Sequence, residues 1–436
     1  MKLRILSLFL CLALIFSFSG CLLVSQEAAD TKPTEQEVLD TTVDLSKYGA
    51  VDKSLIDYRT SLYNGVELNK GYSVLKTEEQ KECYNLIDES VMYISKEMKN
   101  STYTVAPVYL KDTVFSEAQL HLVISAFTMD HPEIFWIESS FSYEITGGTT
   151  ILYLNSGMSL EEVQTGAKQM GQAIENIFAN VTGGLSEYQR EIEIHDAFLE
   201  ICDYSYDTEN FRVYTSVGAL VDGEAVCEGY SRAMQILLSM AGIETYYVFG
   251  TGSEQLHMWN VVNIEGIWYH LDPTWDDQQR GIIYDYFNLT ESEITDDHTL
   301  SPYYWELTED EICGGDSGLA ASFNIFIPDS STDGGSYYSQ NSVSVTGYDQ
   351  NNIDNIAQGI IDALDRGEDF VYLYIDPQYL TYSKAVDNLF RGGDYMIFKC
   401  IDKVNSQIYY TQISNKTVEI SEMEEENIVC VFFEQV

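Results

Sequence analysis

One cysteine of the chain stands where a helix is predicted to begin. Apolar residues follow Cys227 at helical spacing, and Gly242 is typical of the residue that ends a helix. The first turn of a helix carries unpaired backbone N–H groups and the positive end of the helix dipole, and both stabilise a thiolate. Glu228, the next residue, works slightly against that charge. Because a cysteine in this position is more often an inert core residue than a nucleophile, Cys227 is informative only together with a partner.

A β-hairpin is predicted downstream of this helix. Residues 256–264 and 267–272 have the composition of strands, and Glu265–Gly266 between them is a two-residue turn signal. With that turn, Val261 lies opposite His270. We expect His270, on this face of the hairpin, to pack in the core or lie at the surface.

The other face of the hairpin brings together a histidine and a carboxylate. In the same register Trp259 lies opposite Asp272, and His257 shares a face with Trp259. His257 and Asp272 are therefore diagonal neighbours, roughly 7–8 Å apart between backbones, which is within reach of a hydrogen bond. A slip of one residue would place them on opposite faces.

Cys227, His257 and Asp272 together have the residue types used for acyl transfer at an amide or ester carbonyl. In this interpretation His257 holds the Cys227 thiolate in an ion pair and protonates the leaving amine, while Asp272 orients the imidazole. The backbone N–H of Cys227, at the start of its helix, is the expected oxyanion donor.

Three short motifs resemble the transglutaminase-like superfamily, in particular its bacterial surface members. They are Val226–Ser231, His257–Asn260 and Asp272–Trp275, in that order. The resemblance covers about residues 186–280 and includes an upstream helix that carries His195. It implies a papain-like α+β core, in which a helix packs against an antiparallel sheet, with Cys227, His257 and Asp272 as the catalytic triad.

The resemblance also limits what can be expected of the chain. Members of the superfamily include proteases, amidases, cross-linking enzymes and proteins that have lost activity, and the intact triad argues against the last group. The sequence shows no calcium loop of the type found in the animal enzymes, so metal-dependent cross-linking is not implied. Neither a cofactor nor a metal ion is predicted. Glu228 departs from the neutral residue that many bacterial members have at this position.

Aromatic residues of the motifs are candidates for lining a substrate cleft. These are Tyr230, Trp259 and Trp275. For the two tryptophans, packing in the core is an equally good interpretation. Two other histidines are interpreted more simply, His131 as a packed or solvated residue and His298 as part of an acidic loop without a special role.

The N-terminal residues resemble the signal peptide of a bacterial lipoprotein. A basic start, Met1–Arg4, precedes the apolar run Ile5–Phe18, and Phe18–Cys21 resembles a lipobox. The resemblance implies cleavage after residue 20 and a lipid on Cys21, which would anchor an extracytoplasmic protein to the cell membrane. The alternative is an uncleaved membrane anchor.

The charge of the chain excludes some partners. The 436 residues include 69 acidic and 23 basic residues, a net charge of −46. Because binding to a polyanion needs clustered cations, a nucleic-acid partner is not expected, and an anionic membrane surface is disfavoured. We expect a peptide, protein or cell-wall amide as the partner instead.

The cysteines do not form a recognisable metal or disulfide pattern. Of the eight, Cys11 lies in the leader and Cys21 carries the lipid, which leaves six. No CxxC or CxxxC spacing is present and no two histidines have ligand spacing, so neither a structural zinc site nor a metallohydrolase is expected. Apart from Cys227, most of these cysteines are expected to be buried thiols.

The organisation of the chain is predicted from composition and periodicity. Residues 21–45 are polar and aperiodic, typical of a tether, and residues 46–180 are predicted as an α-rich region. The catalytic core is expected at 181–312, a linker at 313–341 and a small α/β module at 342–436.

Individual elements are predicted on either side of the core. Capping boxes at Thr77, Ser159 and Ser186 predict helix starts. Five strands are predicted in the C-terminal module, at 343–346, 370–375, 395–401, 408–413 and 428–433.

The sequence favours one function and leaves another open. The first is a lipid-anchored cysteine enzyme of the cell surface that acts on peptide or cell-wall amides through a thioacyl intermediate. Water would give hydrolysis, which is favoured, and a primary amine would give cross-linking, since the outcome depends on how the site excludes water. The alternative is a catalytically silent binding or adhesion lipoprotein that holds a peptide or glycan in the same cleft.

Overall fold

The computed structural model describes most of the chain after the leader. The described residues are 24–26, 43–58, 65–99, 102–278, 281–315, 320–330, 335–366, 368–391, 395–424 and 427–434. The predicted signal peptide, the lipidation site Cys21 and most of the predicted tether lie outside these ranges. Among the described residues, no helix combines the length and the apolar character that a membrane span requires. The chain divides into two compact units, the first up to residue 332 and the second from residue 333.

Five α-helices lie in the described part of the first 200 residues, and three of them begin at the predicted capping boxes. They are α1 Lys70–Val74, α2 Glu78–Ser90, α3 Glu117–Asp130, α4 Leu160–Asn180 and α5 Glu187–Leu199. The capping boxes at Thr77, Ser159 and Ser186 are all confirmed, at the starts of α2, α4 and α5. In each, the hydroxyl accepts from the N3 backbone N–H, and the N3 side chain accepts from the N-cap backbone.

A mainly antiparallel sheet accompanies these helices. The strands are β1 Val24–Gln26, β2 Tyr48–Ala50, β3 Tyr93–Ser95, β4 Tyr103–Thr104, β5 Val108–Leu110, β6 Ile137–Thr146 and β7 Thr149–Ser156. β6 and β7 form its central hairpin, β4 and β5 pair with β7, β1 pairs parallel with β6, and β2 and β3 form a separate pair. The described part of residues 46–180 therefore combines four α-helices with a sheet, in which the alternating residues of β6 and β7 bury one face.

The core follows, with one helix packed on a four-stranded sheet. Its elements are β8 Asp203–Tyr204, β9 Glu224–Ala225, α6 Cys227–Met240, β10 Thr245–Gly252, β11 Gln255–Ile264, β12 Ile267–Leu271, α7 Pro273–Asp276, β13 Asp277–Gln278, β14 Gly281–Ile282, α8 Glu291–Ile294, β15 His298–Leu300 and α9 Glu309–Ile312. The sheet is antiparallel throughout, in the order β12-β11-β10-β15, and α6 packs against β10 and β11. The predicted α+β architecture of a helix against an antiparallel sheet is confirmed.

α6 is buried on nearly all sides, as its apolar composition requires. Tyr230, Leu237 and Leu238 are fully buried. The buried amide of Gln235 donates to the backbone carbonyl of Met129 at 2.7 Å, so α6 is joined to α3 as well as to the sheet.

The second unit is a small sheet covered by helices. Its elements are α10 Tyr337–Asn341, β16 Val343–Val345, α11 Gln350–Arg366, β17 Phe370–Ile375, α12 Tyr382–Val386, α13 Met396–Gln407, β18 Glu419–Met423 and β19 Ile428–Phe432. The sheet order is β16-β17-β19-β18, with only the β16–β17 pair parallel. The predicted strands at 343–346, 370–375 and 428–433 are confirmed.

The other two strands predicted in this unit are wrong. Residues 395–401 fall in α13, where Ile397, Cys400, Ile401 and Val404 are buried at helical spacing against the unit's core. Residues 408–413 form no strand, because the Asn405 side chain bonds both the backbone N–H and the carbonyl of Ile413, each at 2.8 Å. This folds the segment back on α13.

Gly250 on β10 provides a test of this packing. A Cβ at Gly250 would lie 2.2 Å from the Thr299 carbonyl oxygen and 2.6 Å from the Trp259 ring. Because β15 or the ring would have to move, we expect Gly250→Ala to lower the free energy of unfolding by about 1–3 kcal/mol.

Urea unfolding followed by tryptophan fluorescence measures this, since all 5 tryptophans precede residue 333. Gly183→Ala is the matched control, because a Cβ there meets nothing within 4 Å. Its effect should stay within about 0.5 kcal/mol. Equal effects of the two substitutions would contradict the packing argument.

Candidate active site

α6 presents Cys227 as its first residue. Val226 before it is extended, and the helix begins at Cys227. The backbone N–H of a first helical residue has no partner within the helix, so this group can serve an oxyanion. The Cys227 side chain is almost completely buried, and its thiol is near enough to the His257 ring to help raise the pKa of that imidazole.

Two hydrogen bonds fix the start of α6 on the strand that carries His257. The Ser231 hydroxyl donates to the carbonyl of Met258 at 3.0 Å, and the Asn260 amide donates to the carbonyl of Ser231 at 3.0 Å. Ser231 is one helical turn beyond Cys227, and Met258 directly follows His257. The start of α6, with Cys227, and the strand segment that carries His257 are thus joined by two hydrogen bonds.

The hairpin has the predicted register. Val261 pairs with His270, and the turn Glu265–Gly266 has positive φ values of 53° and 88°. These are the dihedral signs of a type I′ turn, which matches the twist of the two strands. His257 and Asp272 consequently share a face, and His257 Nε2 lies 2.7 Å from Asp272 Oδ2.

Asp272 is held in place by a second role. It is the N-cap of α7, where its Oδ1 accepts from the backbone N–H groups of Thr274 and Trp275 at 3.0 and 3.3 Å. Pro273 occupies the first helical position, for which its fixed φ is suited. One carboxylate oxygen therefore caps a helix while the other orients His257.

The environment of His257 favours its charged form. Burial opposes the charge, yet the Asp272 carboxylate and the nearby Cys227 thiol raise the pKa of His257 to about 10. With Nε2 bound to Asp272, Nδ1 is the ring nitrogen left for the thiol. An imidazolium beside a thiol is the arrangement found in activated cysteine nucleophiles.

A second histidine, His298, shares the same carboxylate. His298 is paired with Gly252 of β10, its Nε2 lies 3.2 Å from Asp272 Oδ2, and its Nδ1 lies 2.7 Å from Asp297 Oδ1. Burial opposes its charge, but the two carboxylates raise the pKa of His298. The interpretation of His298 as a loop residue without a role is wrong.

No feature of the sequence signals this position. His298 stands in the acidic stretch Thr295–Leu300, and the strand it begins is three residues long. Only the pairing of β15 with β10 brings it to Asp272, and that pairing joins segments about fifty residues apart.

Burial and the two histidines have opposite effects on the pKa of Asp272. Burial favours the neutral acid, but the charges and hydrogen bonds of His257 and His298 hold the pKa of Asp272 well below its usual range.

The ligand-type atoms of His257, Asp272 and His298 lie within 4.8 Å of one another. The His257–Asp272 separation of 2.7 Å is that of a hydrogen bond. Two ligands of one zinc ion would be roughly 3.3 Å apart or more.

Gly252 makes room for the imidazole. A Cβ at this position would lie 2.8 Å from the Trp275 ring and 3.3 Å from the His257 ring. The Trp275 ring lies 5.5 Å from the His257 ring and 4.3 Å from the His298 ring, between centroids. Trp275 is partly exposed and covers both imidazoles, which is a position at the edge of a cleft.

The other two aromatic candidates lie beneath the site. Tyr230 and Trp259 are fully buried. The Tyr230 hydroxyl donates to Asp277 and the Trp259 indole donates to His270 Nδ1 at 3.0 Å. Burial also lowers the pKa of His270 to about 4. Trp259 is therefore packed in the core, which is the alternative that the sequence left open. Tyr230 is buried in the same way.

The charge of Glu228, the residue that follows Cys227, is balanced by an arginine. Glu228 forms an ion pair with Arg232 one turn along α6, with 2.9 Å between Oε1 and a guanidinium nitrogen. Both side chains, together with Tyr214, line a cavity of about 390 Å³. Because Glu228 directly follows Cys227 in the sequence, this cavity is the candidate substrate cleft.

The upstream helix α5 supports the segment after Asp272. His195 is fully buried, with Nδ1 2.9 Å from Asp196 and Nε2 3.3 Å from Asp276. Asp276 Oδ1 in turn accepts from the backbone N–H of Tyr286 at 2.9 Å. His195 therefore braces α7 rather than joining the reacting groups.

The sequence comparison agrees with this geometry. Residues 175–273 match the family model of the transglutaminase-like superfamily, a stretch that contains α5, α6 and the hairpin. The chain therefore contains a domain of the transglutaminase-like superfamily, whose general chemistry is cysteine-dependent acyl transfer or hydrolysis.

Two solved structures are similar to parts of the chain. One is of a protein described as a TGase, with 15% identity, covering 38% of this chain and 50% of its own, at a TM-score of 0.24. The other is of a proposed cysteine protease from Cytophaga hutchinsonii, with 13% identity, covering 31% and 55%, at a TM-score of 0.22. The chain spans about half the length of these two proteins. No curated protein matches the sequence.

The shared carboxylate predicts a specific pH dependence for His298→Asn. Because the folded-state pKa of His298 is raised, its stabilising contribution is complete below the unfolded value of about 6.5 and decreases as the pH rises through the folded value. We expect this variant to lose more unfolding free energy, relative to the unsubstituted protein, at about pH 5.5 than at about pH 9.

His270→Asn is the matched control with the opposite sign. The folded-state pKa of His270 is lowered to about 4, so its contribution grows as the pH rises from that value to about 6.5. Its loss should therefore cost more at about pH 9 than at about pH 5.5. Urea unfolding at both pH values measures the two differences, and parallel trends would contradict the assigned ion pairs.

Proposed function

We propose that the chain is a lipid-anchored cysteine enzyme of the cell surface that hydrolyses amide bonds in peptides or cell-wall material. One observation supports it most directly. The Cys227 thiol, at a helix start, faces an imidazole whose Nε2 lies 2.7 Å from the buried Asp272 carboxylate. These are the groups and the order that nucleophilic acyl transfer requires.

The proposed reaction starts with the Cys227 thiolate. Its Sγ attacks the amide carbonyl carbon, and the carbonyl electron pair moves to the oxygen, which accepts from the Cys227 backbone N–H. The C–N bond then breaks as His257 gives its proton to the leaving nitrogen. The products of this step are a thioester on Cys227, a free amine and a neutral imidazole hydrogen-bonded to Asp272.

The second step regenerates the thiol. Neutral His257 removes a proton from water, the hydroxide attacks the thioester carbon, and the Cys227 thiolate leaves. A primary amine in place of water would give a new amide and thus a cross-link. Glu138 and Glu209 line the candidate substrate cleft, where the charge of Glu228 is balanced by Arg232. This lining, like the net charge of −46, favours neutral or cationic acyl donors over anionic ones.

The proposed cellular location is based on the N-terminal residues. The lipobox-like sequence Phe18–Cys21 supports a lipid on Cys21, followed by a polar segment before the folded unit. A membrane-tethered enzyme would meet peptides and cell-wall material outside the cytoplasm, which fits the proposed substrate class.

Selective alkylation tests the activated thiol. An unassisted thiol is only about 1% thiolate at about pH 6.5, so pairing with His257 should accelerate reaction of Cys227 with iodoacetamide roughly 100-fold. Burial raises the pKa of Cys83, Cys202 and Cys400 to about 12, so these thiols should react slowly.

Peptide mass mapping after short exposure gives the rate at each cysteine. His257→Ala should remove the fast reaction at Cys227, while Cys313→Ser, which removes the most exposed described cysteine thiol, should leave it intact. Uniform slow labelling of all the thiols would contradict the proposed nucleophile and support a binding protein.

A trapped acyl adduct tests the reaction class. We expect intact-mass analysis, after incubation with cell-wall fragments or glutamine-containing peptides, to show an acyl group on Cys227 and a released amine. Cys227→Ser and Asp272→Asn are the comparison variants, and neither should accumulate the thioester. Binding of these compounds without adduct or amine release would favour the adhesion alternative, and incorporation of an added primary amine would identify cross-linking.

A further inference from the structure

Three ligand-type side chains outside the triad meet in the first unit. Glu117 and His121 lie one turn apart on α3, and Cys313 directly follows α9. One ligand atom from each lies within 4.8 Å of the other two. Glu117 Oε1 and His121 Nε2 are 4.0 Å apart.

His121 is the residue whose environment is unusual. It is fully buried, and among the described residues neither of its ring nitrogens has a hydrogen-bond partner. A buried polar group left without a partner costs about 1–3 kcal/mol. The Phe141 ring packs against it at 5.1 Å between centroids, which supplies no acceptor in place of the missing one. Its Nε2 faces Glu117 at a distance too long for a hydrogen bond.

The other two side chains are already arranged around a common point. A Glu117 carboxylate oxygen and the Cys313 sulfur lie within 4.8 Å of each other, and Tyr143 lines the same depression as these two side chains. Glu309 and Asp310 line the depression into which Glu117 and Cys313 open. The cluster is thus closed on the His121 side and open, with further carboxylates, on the other.

The geometry points to a zinc ion bound by Glu117, His121 and Cys313, and we propose this site as new. Carboxylate oxygen, imidazole nitrogen and thiolate sulfur are the ligands that zinc takes in proteins, whereas calcium and magnesium take oxygen ligands. Zinc bonds of about 2.0–2.3 Å at tetrahedral angles separate ligand atoms by roughly 3.3–3.8 Å. The cluster therefore has to contract by at most about 1.5 Å.

Binding would pair the orphan nitrogen of His121 with the ion and release the Cys313 proton to solvent, leaving the sulfur as a thiolate ligand. The fourth position faces the open depression, where water or a carboxylate from Glu309 or Asp310 completes the coordination. Three protein ligands from α3 and the end of α9 would join two parts of the unit that are remote in sequence.

Rules based on ligand spacing do not detect such a site. Glu117 and His121 follow a helical repeat, while the third ligand lies near the end of the unit. The expectation that no zinc site exists rested on the missing CxxC spacing, which covers only sites built from cysteine pairs.

The test uses the full-length protein, first stripped with a chelator and then dialysed against Zn²⁺ alone. We expect about one bound zinc per chain by elemental mass spectrometry and a higher unfolding temperature in its presence. With Co²⁺ in place of Zn²⁺, a thiolate-to-cobalt charge-transfer band in the near ultraviolet should accompany the visible bands of a four-coordinate site.

Variants assign the ligands. Cys313→Ser should lose the charge-transfer band and weaken zinc binding by more than about 100-fold. Because Cys313 is only partly buried, this variant should fold even if His121→Ala does not. Cys227→Ser and His298→Asn are the controls, and both should keep the zinc and the band.

Three outcomes would overturn the proposal. The first is the absence of bound zinc in the unsubstituted protein, and the second is unchanged zinc binding in Cys313→Ser. The third is loss of zinc in Cys227→Ser or His298→Asn, which would place the ion at Asp272 and its two histidines instead.

Discussion

The candidate active site depends on one buried carboxylate. Asp272 is fully buried, and each of its oxygens is bound: Oδ1 caps α7, and Oδ2 lies between the rings of His257 and His298. A buried carboxylate is costly unless it is paired and hydrogen-bonded. Here the pairing that offsets this cost is also the pairing that charges and orients His257, so the stability of the site and its chemistry share one interaction.

The backbone around this carboxylate is shaped to admit large rings. β10 has glycines at positions 250 and 252, and a side chain at either would collide with Trp259 or Trp275. The space they leave allows indole and imidazole rings to pack on this face of the strand. The positively charged side chains here have carboxylate partners: His257 and His298 lie beside Asp272, and Arg232 pairs with Glu228.

The segment from β15 to α9 runs from the candidate active site to the proposed zinc site. It begins at His298, which contacts Asp272, and ends at Cys313, whose sulfur lies within 4.8 Å of a Glu117 carboxylate oxygen. An ion that fixed Cys313 to α3 would restrain the end of this segment, while the pairing of β15 with β10 restrains its beginning. The proposed zinc and the proposed enzyme can nevertheless be tested separately, because the ligands of one are not the reacting groups of the other.

The sequence by itself determined the local features. A turn dipeptide fixes the hairpin register and therefore the face shared by His257 and Asp272, and a helical repeat places Cys227 at a helix start, because both patterns act over a few residues. It failed where local patterns are ambiguous: residues 395–401 fit a strand or a helix, and burial against a core decided for the helix. Tertiary structure alone decided that His298 reaches Asp272, that Tyr230 and Trp259 lie beneath the site, and that Cys313 meets His121. These contacts join segments far apart in the chain, and a linear sequence does not record which distant segments the folded core brings together.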